Sequence, residues 1–404
     1  MISRRTASTI EVHNAAGSVS RRAFLDAACR AGAGFAAMGL GSPRELFAQG
    51  GLSKDQLIVR SARPQDLETP AHLLTSWITP NELFYVRSHF YTPAIREAEW
   101  TLRIDGEVDA SLTLTLDTVR QFASKTIAAT LECAGNGRSF HDPPVAGVQW
   151  GKGAVGTARW TGVPLAEVLR KAGIKPSARY VWFDGADVGV GTAPDFIRSL
   201  PIEKAMHQDT LLAYEMNGER LPTPHGFPLR AIVPGWEGAY SMKWLTHITV
   251  SDRNHDGAFV QAAYRLPRWP VSPGTLVSPA DTVPVTELSV KSIVTEPGAD
   301  SVIHAGGPVT IAGFAWSGEA QIRRVDLSTD NGRTWSSARL GRDQAPYAWR
   351  RFEFVWRAME PGSHVVLSRA TDARGRIQPV VAEWNPGGYL WNAIDQVRVH
   401  VSPQ

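Results

Sequence analysis

The chain has 404 residues, 43% hydrophobic and 20% charged, which is the composition of a globular protein large enough for two or three domains and excludes a disordered one. Its 42 Lys and Arg against 39 Asp and Glu leave a formal charge of +3, too small and too dispersed for a nucleic-acid or anionic-membrane surface. Small anions stay within reach, because a few buried arginines suffice for those.

Residues 1–48 pair Arg21 and Arg22 with Phe24 and Leu25, a weakly apolar stretch from Ala31 to Leu40 and the small residue Ala48. That succession is similar to a twin-arginine export signal and implies a periplasmic protein translocated already folded. Asp26 and Arg30 interrupt the apolar character, and the stretch is far shorter than the ~20 residues of a bilayer helix. No later window reaches that length either, so no membrane span is expected. The sequence holds 2 cysteines, Cys29 and Cys133. With the signal removed one thiol remains, which allows no internal disulfide even in an oxidising compartment.

Residues 51–80, "GLSKDQLIVRSARPQDLETPAHLLTSWITP", show turn chemistry without sustained period and read as loop wrapping a surface. From Asn81 to about Asp281 strand-like and helix-like stretches alternate irregularly, as in a mixed α+β domain over 49–281. Strands are expected at "TIAATLE", "RYVWFDG", "PLRAIVPG" and "WLTHITV". The clearest helix is "VPLAEVLRKAGI", with Pro164 in its first turn, Leu165, Val168, Leu169 and Ala172 on one face and Gly173 as its stop. A Pro- and Thr-rich passage, "VSPGTLVSPADTVPVTEL", leads into a tail of different grammar. There Asp330, Asn331 and Gly332 form a turn between two runs, and "RRFEFVW" alternates Phe352, Phe354 and Trp356. Residues 282–404 therefore read as an immunoglobulin-like β-sandwich with a role in assembly.

Cys133 ends the strand-like "ATLE" and opens the loop "CAGNGRSFHDPP". A structural zinc would need more thiols. A cysteine nucleophile would need a base, for which His141, His225 and the carboxamide of Asn136 are available, so a cysteine-dependent hydrolase stays open. A small buried hydrophobe is the plain alternative. The Gly-rich, Arg-containing loop favours a site, since loops on rigid elements carry chemistry.

In chain order, "NELFYVRSHFYTP", "LECAGNGRS", "WGKGAVGTARWTGVPLAEVL", "LLAYEMNGERLPTPHGFPLRAIVPG" and "SMKWLTHITV" resemble the motifs of the sulfite oxidase family of molybdenum enzymes. "IRRVDLSTDNGRTW" resembles that family's dimerisation domain. Within the family, "ECAGNGR", the export signal and the lack of haem are most similar to molybdenum subunits of sulfane dehydrogenases from thiosulfate-oxidising systems. The resemblance implies a molybdopterin-binding α+β domain before the sandwich, with molybdenum–molybdopterin as cofactor and Cys133 as the protein's metal ligand. It carries cofactor binding over to Tyr85, Arg87, His89, Asp187, His225, Arg230, Ser241, Met242 and Lys243. It places Arg87 and Arg138 in a positive substrate pocket, Tyr264 beside the reacting group and Trp150 as an aromatic wall.

Two departures bear on substrate. "HDPPVAGVQW" lacks a lysine usual in sulfite oxidases, and "WNPGGYLWN" has Gly387 and Gly388 where an arginine is frequent. A less cationic, less enclosed pocket favours a bulkier or protein-tethered sulfur over free sulfite. The resemblance then implies oxidation of a sulfane sulfur held on a carrier protein, by oxygen transfer from water. The alternatives are a sulfite dehydrogenase acting on free sulfite and a non-catalytic scaffold. No CxxCH stands in the chain, so its electrons are expected to leave through a separate c-type cytochrome. The expected assembly is a homodimer, or a heterotetramer with that cytochrome.

Overall fold

The computed structural model describes residues 53–403; the expected export signal lies outside the described residues. Five of the β-sheets position the site. Ile58–Ser61, Asp66–Glu68 and Val86–Arg87 form a small antiparallel sheet. Strands therefore stand where residues 51–80 read as loop. A strand of three or four residues is too short to display a period, and Asp66–Glu68 pairs Val86–Arg87 from a distant part of the chain.

The second sheet runs Glu219–Arg220, Leu211–Met216, Val155–Pro164, Lys125–Glu132, with Arg230–Ile232 also paired to Leu211–Met216. The third runs Leu112–Leu114, Leu102–Gly106, Leu245–Ser251, Tyr180–Gly185, Arg198–Pro201 and is mixed, since Leu245–Ser251 lies parallel to Leu102–Gly106. Helix Leu165–Ala172 follows Val155–Pro164 without a loop, so Pro164 caps the helix from outside rather than occupying its first turn. Leu165, Val168, Leu169 and Ala172 are buried against the third sheet's core, and Gly173 ends the helix at φ +73°.

The C-terminal part is a two-sheet antiparallel sandwich built mainly from Lys291–Glu296, Pro308–Trp316 and Arg350–Arg357 on one side. Ile322–Ser328, Gly362–Asp372 and Asp395–Ser402 form the other, with Ser301–His304 added in parallel at its edge. Asn331 and Gly332 both take positive φ in the expected turn. The sandwich closes on the rest of the protein through an apolar cluster of Leu74, Val155, Leu288, Ile293, Phe314, Trp316 and Trp349. Phe314 and Trp349 stack at 4.2 Å, and Trp77 and Trp349 each donate an indole N–H to the other's carbonyl. Truncating one such aromatic would cost ~3–5 kcal/mol, so the two halves form one folded body.

Candidate active site

Lys125–Glu132 and Val155–Pro164 pair residue for residue up to Glu132 opposite Val155, and the Cys133 amide extends the ladder to Ala154 O at 3.0 Å. The chain then leaves the sheet, and Cys133 sits at its rim. Asn136 folds the loop back: its Nδ2 donates to Glu132 Oε1 at 2.9 Å and its Oδ1 accepts from Ala154 N at 3.1 Å. Gly137 supplies the left-handed turn at φ +92° with Trp391 packed where a Cβ would stand. Gly135 has no room for a side chain because the Arg138 guanidinium lies 2.5 Å from its ideal Cβ.

A cavity opens beside Cys133, with about 70 Å³ open to the centre of a water molecule. Tyr85, Arg87 and His89 reach it from the first sheet, Asp187 from the end of Tyr180–Gly185, and His225, Arg230, Ser241, Met242 and Lys243 from the loops around Arg230–Ile232. Tyr264 closes one wall. The structure thus gathers all these sequence-predicted residues round one thiol. It does not bring two others to the cavity. Trp150 is fully buried in the core cluster behind the site and is no wall of it. Arg138 turns away: Nε and Nη2 donate to Gly387 O at 3.1 and 3.0 Å, Nη1 donates to Val148 O at 3.0 Å, and Tyr389 covers its face at 5.4 Å.

The cationic side chains are held by backbone carbonyls. Arg230 donates to His225 O and Ser241 O, both at 2.8 Å, beneath a face-on contact with Trp160. Lys243 donates to Ser88 Oγ and Pro224 O at 3.0 Å. Burial, then the Arg230 charge, lowers its ammonium to about 7. Burial raises Asp187 to about 6. Arg87 donates to Asp66 Oδ1 at 3.2 Å and to Ser88 O.

Lys54, which carries no local sequence signal, is buried and donates to Asn81 O and Phe84 O at 2.6 Å and to His225 Nε2 at 2.9 Å. Burial, then the Lys54 and Arg230 charges, keeps His225 neutral. With Nε2 accepting, the ring proton resides on Nδ1.

His89 Nε2 and Tyr264 Oη share a hydrogen bond of 2.6 Å, and His89 stacks on Phe196 at 3.7 Å. Burial, then the Arg87 charge, keeps this imidazole neutral too. Tyr264 has φ +56°, costly for a non-glycine residue, and is fixed by stacking on Tyr389 and by its own amide donating to Tyr389 Oη. Glu237, missed in sequence although it is the one charge in "PGWEGAYSM", lines the cavity fully buried and pairs with Arg198 at 3.2 Å.

Burial pushes the Cys133 thiol up, while Arg87 and Arg138 pull the other way and the Gly135 amide donates to the sulfur. Among the described residues no histidine hydrogen-bonds it and no three His, Cys, Asp or Glu side chains converge as a metal cage. The donor set therefore suits a metal that brings its remaining ligands with it, with one soft thiolate from the protein and polar cations around an anionic carrier.

The family model described as the oxidoreductase molybdopterin binding domain matches residues 89–259, and that of the Mo-co oxidoreductase dimerisation domain matches 282–402. Sulfite oxidase of Gallus gallus is 39% identical, over 83% of this chain and 76% of its own length. Mitochondrial sulfite oxidase of Drosophila melanogaster is 37% identical over 84% of this chain, which spans only 62% of that relative. The crystal structure of the sulfane dehydrogenase SoxCD from Paracoccus pantotrophus superposes with a TM-score of 0.75 at 29% identity, covering 90% of this chain and 92% of that one.

Proposed function

Because the chain belongs to the sulfite oxidase family of molybdopterin-dependent oxidoreductases acting on sulfur, we propose that its substrate is a sulfane sulfur presented on a carrier protein, in the periplasm. The observation that carries this reading is the engagement of Arg138. Of the two guanidinium groups whose charge reaches Cys133, Arg138 is tied to Gly387 and Val148 carbonyls, and Arg87 is paired with Asp66. Gly388 makes the first arrangement possible, since a Cβ there would meet Val145 at 2.3 Å and Arg138 Cγ at 2.9 Å. A small free dianion gains little from such a pocket. A tethered sulfur gains contacts outside it and a raised effective concentration.

Molybdenum held by molybdopterin supplies, when bound, two-electron oxygen-atom transfer to sulfur. Cys133 would hold the metal. Arg230, Lys243 and the Nδ1–H of His225 would bind the anionic and polar edges of the pterin. Arg87 orients the sulfur end of the substrate, and Asp66 keeps that guanidinium in place. Tyr264 Oη, held by neutral His89, presents a fixed hydroxyl to the reacting side of the cavity. A c-type cytochrome takes the electrons, and the sandwich domain provides a dimer contact. The test compares kcat/KM for free sulfite with that for a carrier protein loaded with thiosulfate or persulfide, using holoenzyme and cytochrome. Faster turnover of the loaded carrier is expected. Preference for free sulfite without carrier stimulation would make the protein a sulfite dehydrogenase.

A further inference from the structure

Tyr389 stands behind Tyr264 and does not line the catalytic cavity; it belongs to an outer groove that it shares with Leu390 and Trp384. Its backbone is fixed by Asn385, whose Oδ1 accepts from Tyr389 N and whose Nδ2 donates to Tyr389 O, both at 2.9 Å. Asn385 is buried, and Gly388 N closes the turn on Asn385 O at 3.0 Å. From this base two consecutive residues reach the two halves of the site. Leu390 N donates to Ala134 O at 2.8 Å, next to Cys133, and Tyr389 Oη accepts from Tyr264 N at 3.3 Å. The Tyr389 ring stacks on that of Tyr264, with centroids 5.4 Å apart and planes 15° from parallel, and covers Arg138 of the cysteine loop at 5.4 Å.

Tyr264 needs such a partner. It is 8% exposed and takes φ +56°, a conformation that persists in a residue other than glycine only where the surroundings over-determine it. Its carbonyl accepts from Val285 N at 2.8 Å, and Tyr389 Oη satisfies the remaining backbone group, a buried N–H that is costly to leave unpaired. Leu390, at φ +54°, holds the same strained conformation on the other side of Tyr389. Strain gathered in this way marks places where function fixes geometry. We infer that Tyr389 is a positioning residue for the reaction: its ring and hydroxyl set where Tyr264 Oη points, and the bond from Leu390 to Ala134 fixes that hydroxyl relative to Cys133. The contact it serves is the 2.6 Å hydrogen bond between Tyr264 Oη and His89 Nε2. A hydroxyl presented to the reacting side is effective only where its place is preset, and a misplacement of about 1 Å can cost on the order of 100-fold in rate. Free and carrier-bound sulfur need the same placement, so the role rests on the family reaction and not on which donor is physiological.

The test begins without substrate, on oxidised holoenzyme carrying nitrogen-15-labelled histidine, in which the ring nitrogens of His89 report its bond to Tyr264. Tyr264→Phe gives the position of the His89 signals with that bond absent. Tyr389→Phe keeps the stack and the cover over Arg138 and removes only the acceptor, so a folded protein is expected whatever Tyr389→Leu does. Its His89 signals should move part of the way to the Tyr264→Phe position, and those of Tyr389→Leu further. Signals at wild-type positions in both variants would overturn the role. With whichever sulfur donor turns over, Tyr389→Phe should lower kcat about tenfold at unchanged KM. The same change made in Tyr264→Phe should lower it no further, because a residue that acts through Tyr264 Oη has nothing left to place. An equal loss of kcat in both backgrounds would return Tyr389 to plain packing and overturn the inference.

Discussion

Lys291 of the sandwich donates to Glu132 Oε1 at 2.9 Å, one residue before Cys133, and both side chains are buried. The same ammonium reaches Asn136 O at 3.1 Å, and Trp316 Nε1 donates to Glu132 Oε2 at 2.8 Å. The C-terminal domain thus grips the cysteine loop at its start and at its turn. Lys291→Met leaves a buried carboxylate without its cation, which costs about 3–5 kcal/mol. Melting temperature and molybdenum content should both fall. In Glu132→Gln/Lys291→Met the charge is gone and the single carboxamide oxygen still accepts from one of the two donors, Trp316 Nε1 or Asn136 Nδ2, so part of the stability should return. Equal melting temperatures for the single and double variants would show that the pair does not matter.

Lys54 acts on the cofactor through His225. Lys54→Met removes the donor that fixes the Nδ1–H tautomer and lets the ring turn. Loss of a partner that orients a ligating group typically weakens binding ~10–100-fold. Pterin released on prolonged dialysis should increase accordingly, with far-UV circular dichroism unchanged. Retention equal to wild type would mean that Lys54 only fills space.

Arg87 and Arg138 should separate in kinetics. Arg87→Gln is expected to raise KM for an anionic sulfur substrate about tenfold and to flatten its dependence on ionic strength. Arg138→Gln should leave that salt dependence intact and lower the melting temperature, because its three carbonyl bonds clasp the cysteine loop to residues Gly387 and Val148. The reverse pattern would restore Arg138 to the substrate pocket.

That reversal of roles also marks how far the residues alone could be read. Cys133 at a strand end, the helix Leu165–Ala172 and the alternation in Arg350–Arg357 follow from local period, which the chain displays wherever an element is long enough. Arg138 could be recognised as a cation in a Gly-rich loop, but its acceptor lies 249 positions away in sequence. Lys54 and His225 are 171 apart. Partners so remote leave no spacing signal. Trp150 sits one position from the polar loop and still points inward, because its side chain continues the packing of Trp160 and Phe84.

Glu237 gives the site a pH signature in the cofactor-free protein. Its ordinary value is 4.5 and burial raises it to about 7 in the fold. Below pH 4.5 both folded and unfolded states hold the proton and the full contribution to stability is present. Between 4.5 and 7 only the folded state holds it, so stability falls with rising pH, by on the order of 3 kcal/mol in all. Glu237→Gln removes this slope whatever it does to absolute stability. Urea unfolding of both proteins from pH 4 to 8 checks it, and parallel curves would refute the assignment.

Cys133→Ser tests the metal ligand itself. The loop around it is held by backbone bonds, Cys133 N to Ala154 O and Asn136 N to Cys133 O, and by the side chains of Asn136 and Glu132, none of which needs the sulfur. The hydroxyl is nearly isosteric and faces a cavity where water can satisfy it, so the melting temperature of the apo-protein should change by no more than the equivalent of about 1 kcal/mol. The residues that would hold the pterin, Arg230, Lys243 and His225, are untouched, and pterin binding should survive. A hard hydroxyl is a poor replacement for a soft thiolate at this metal, so molybdenum should be lost selectively. The expected result is therefore a folded protein with near-normal pterin, a strongly reduced ratio of molybdenum to pterin, and no turnover. A variant that keeps both the metal ratio and full activity would remove Cys133 as the ligand. Loss of pterin together with metal would instead show that the thiolate anchors the whole cofactor and that the cationic cradle cannot hold it alone.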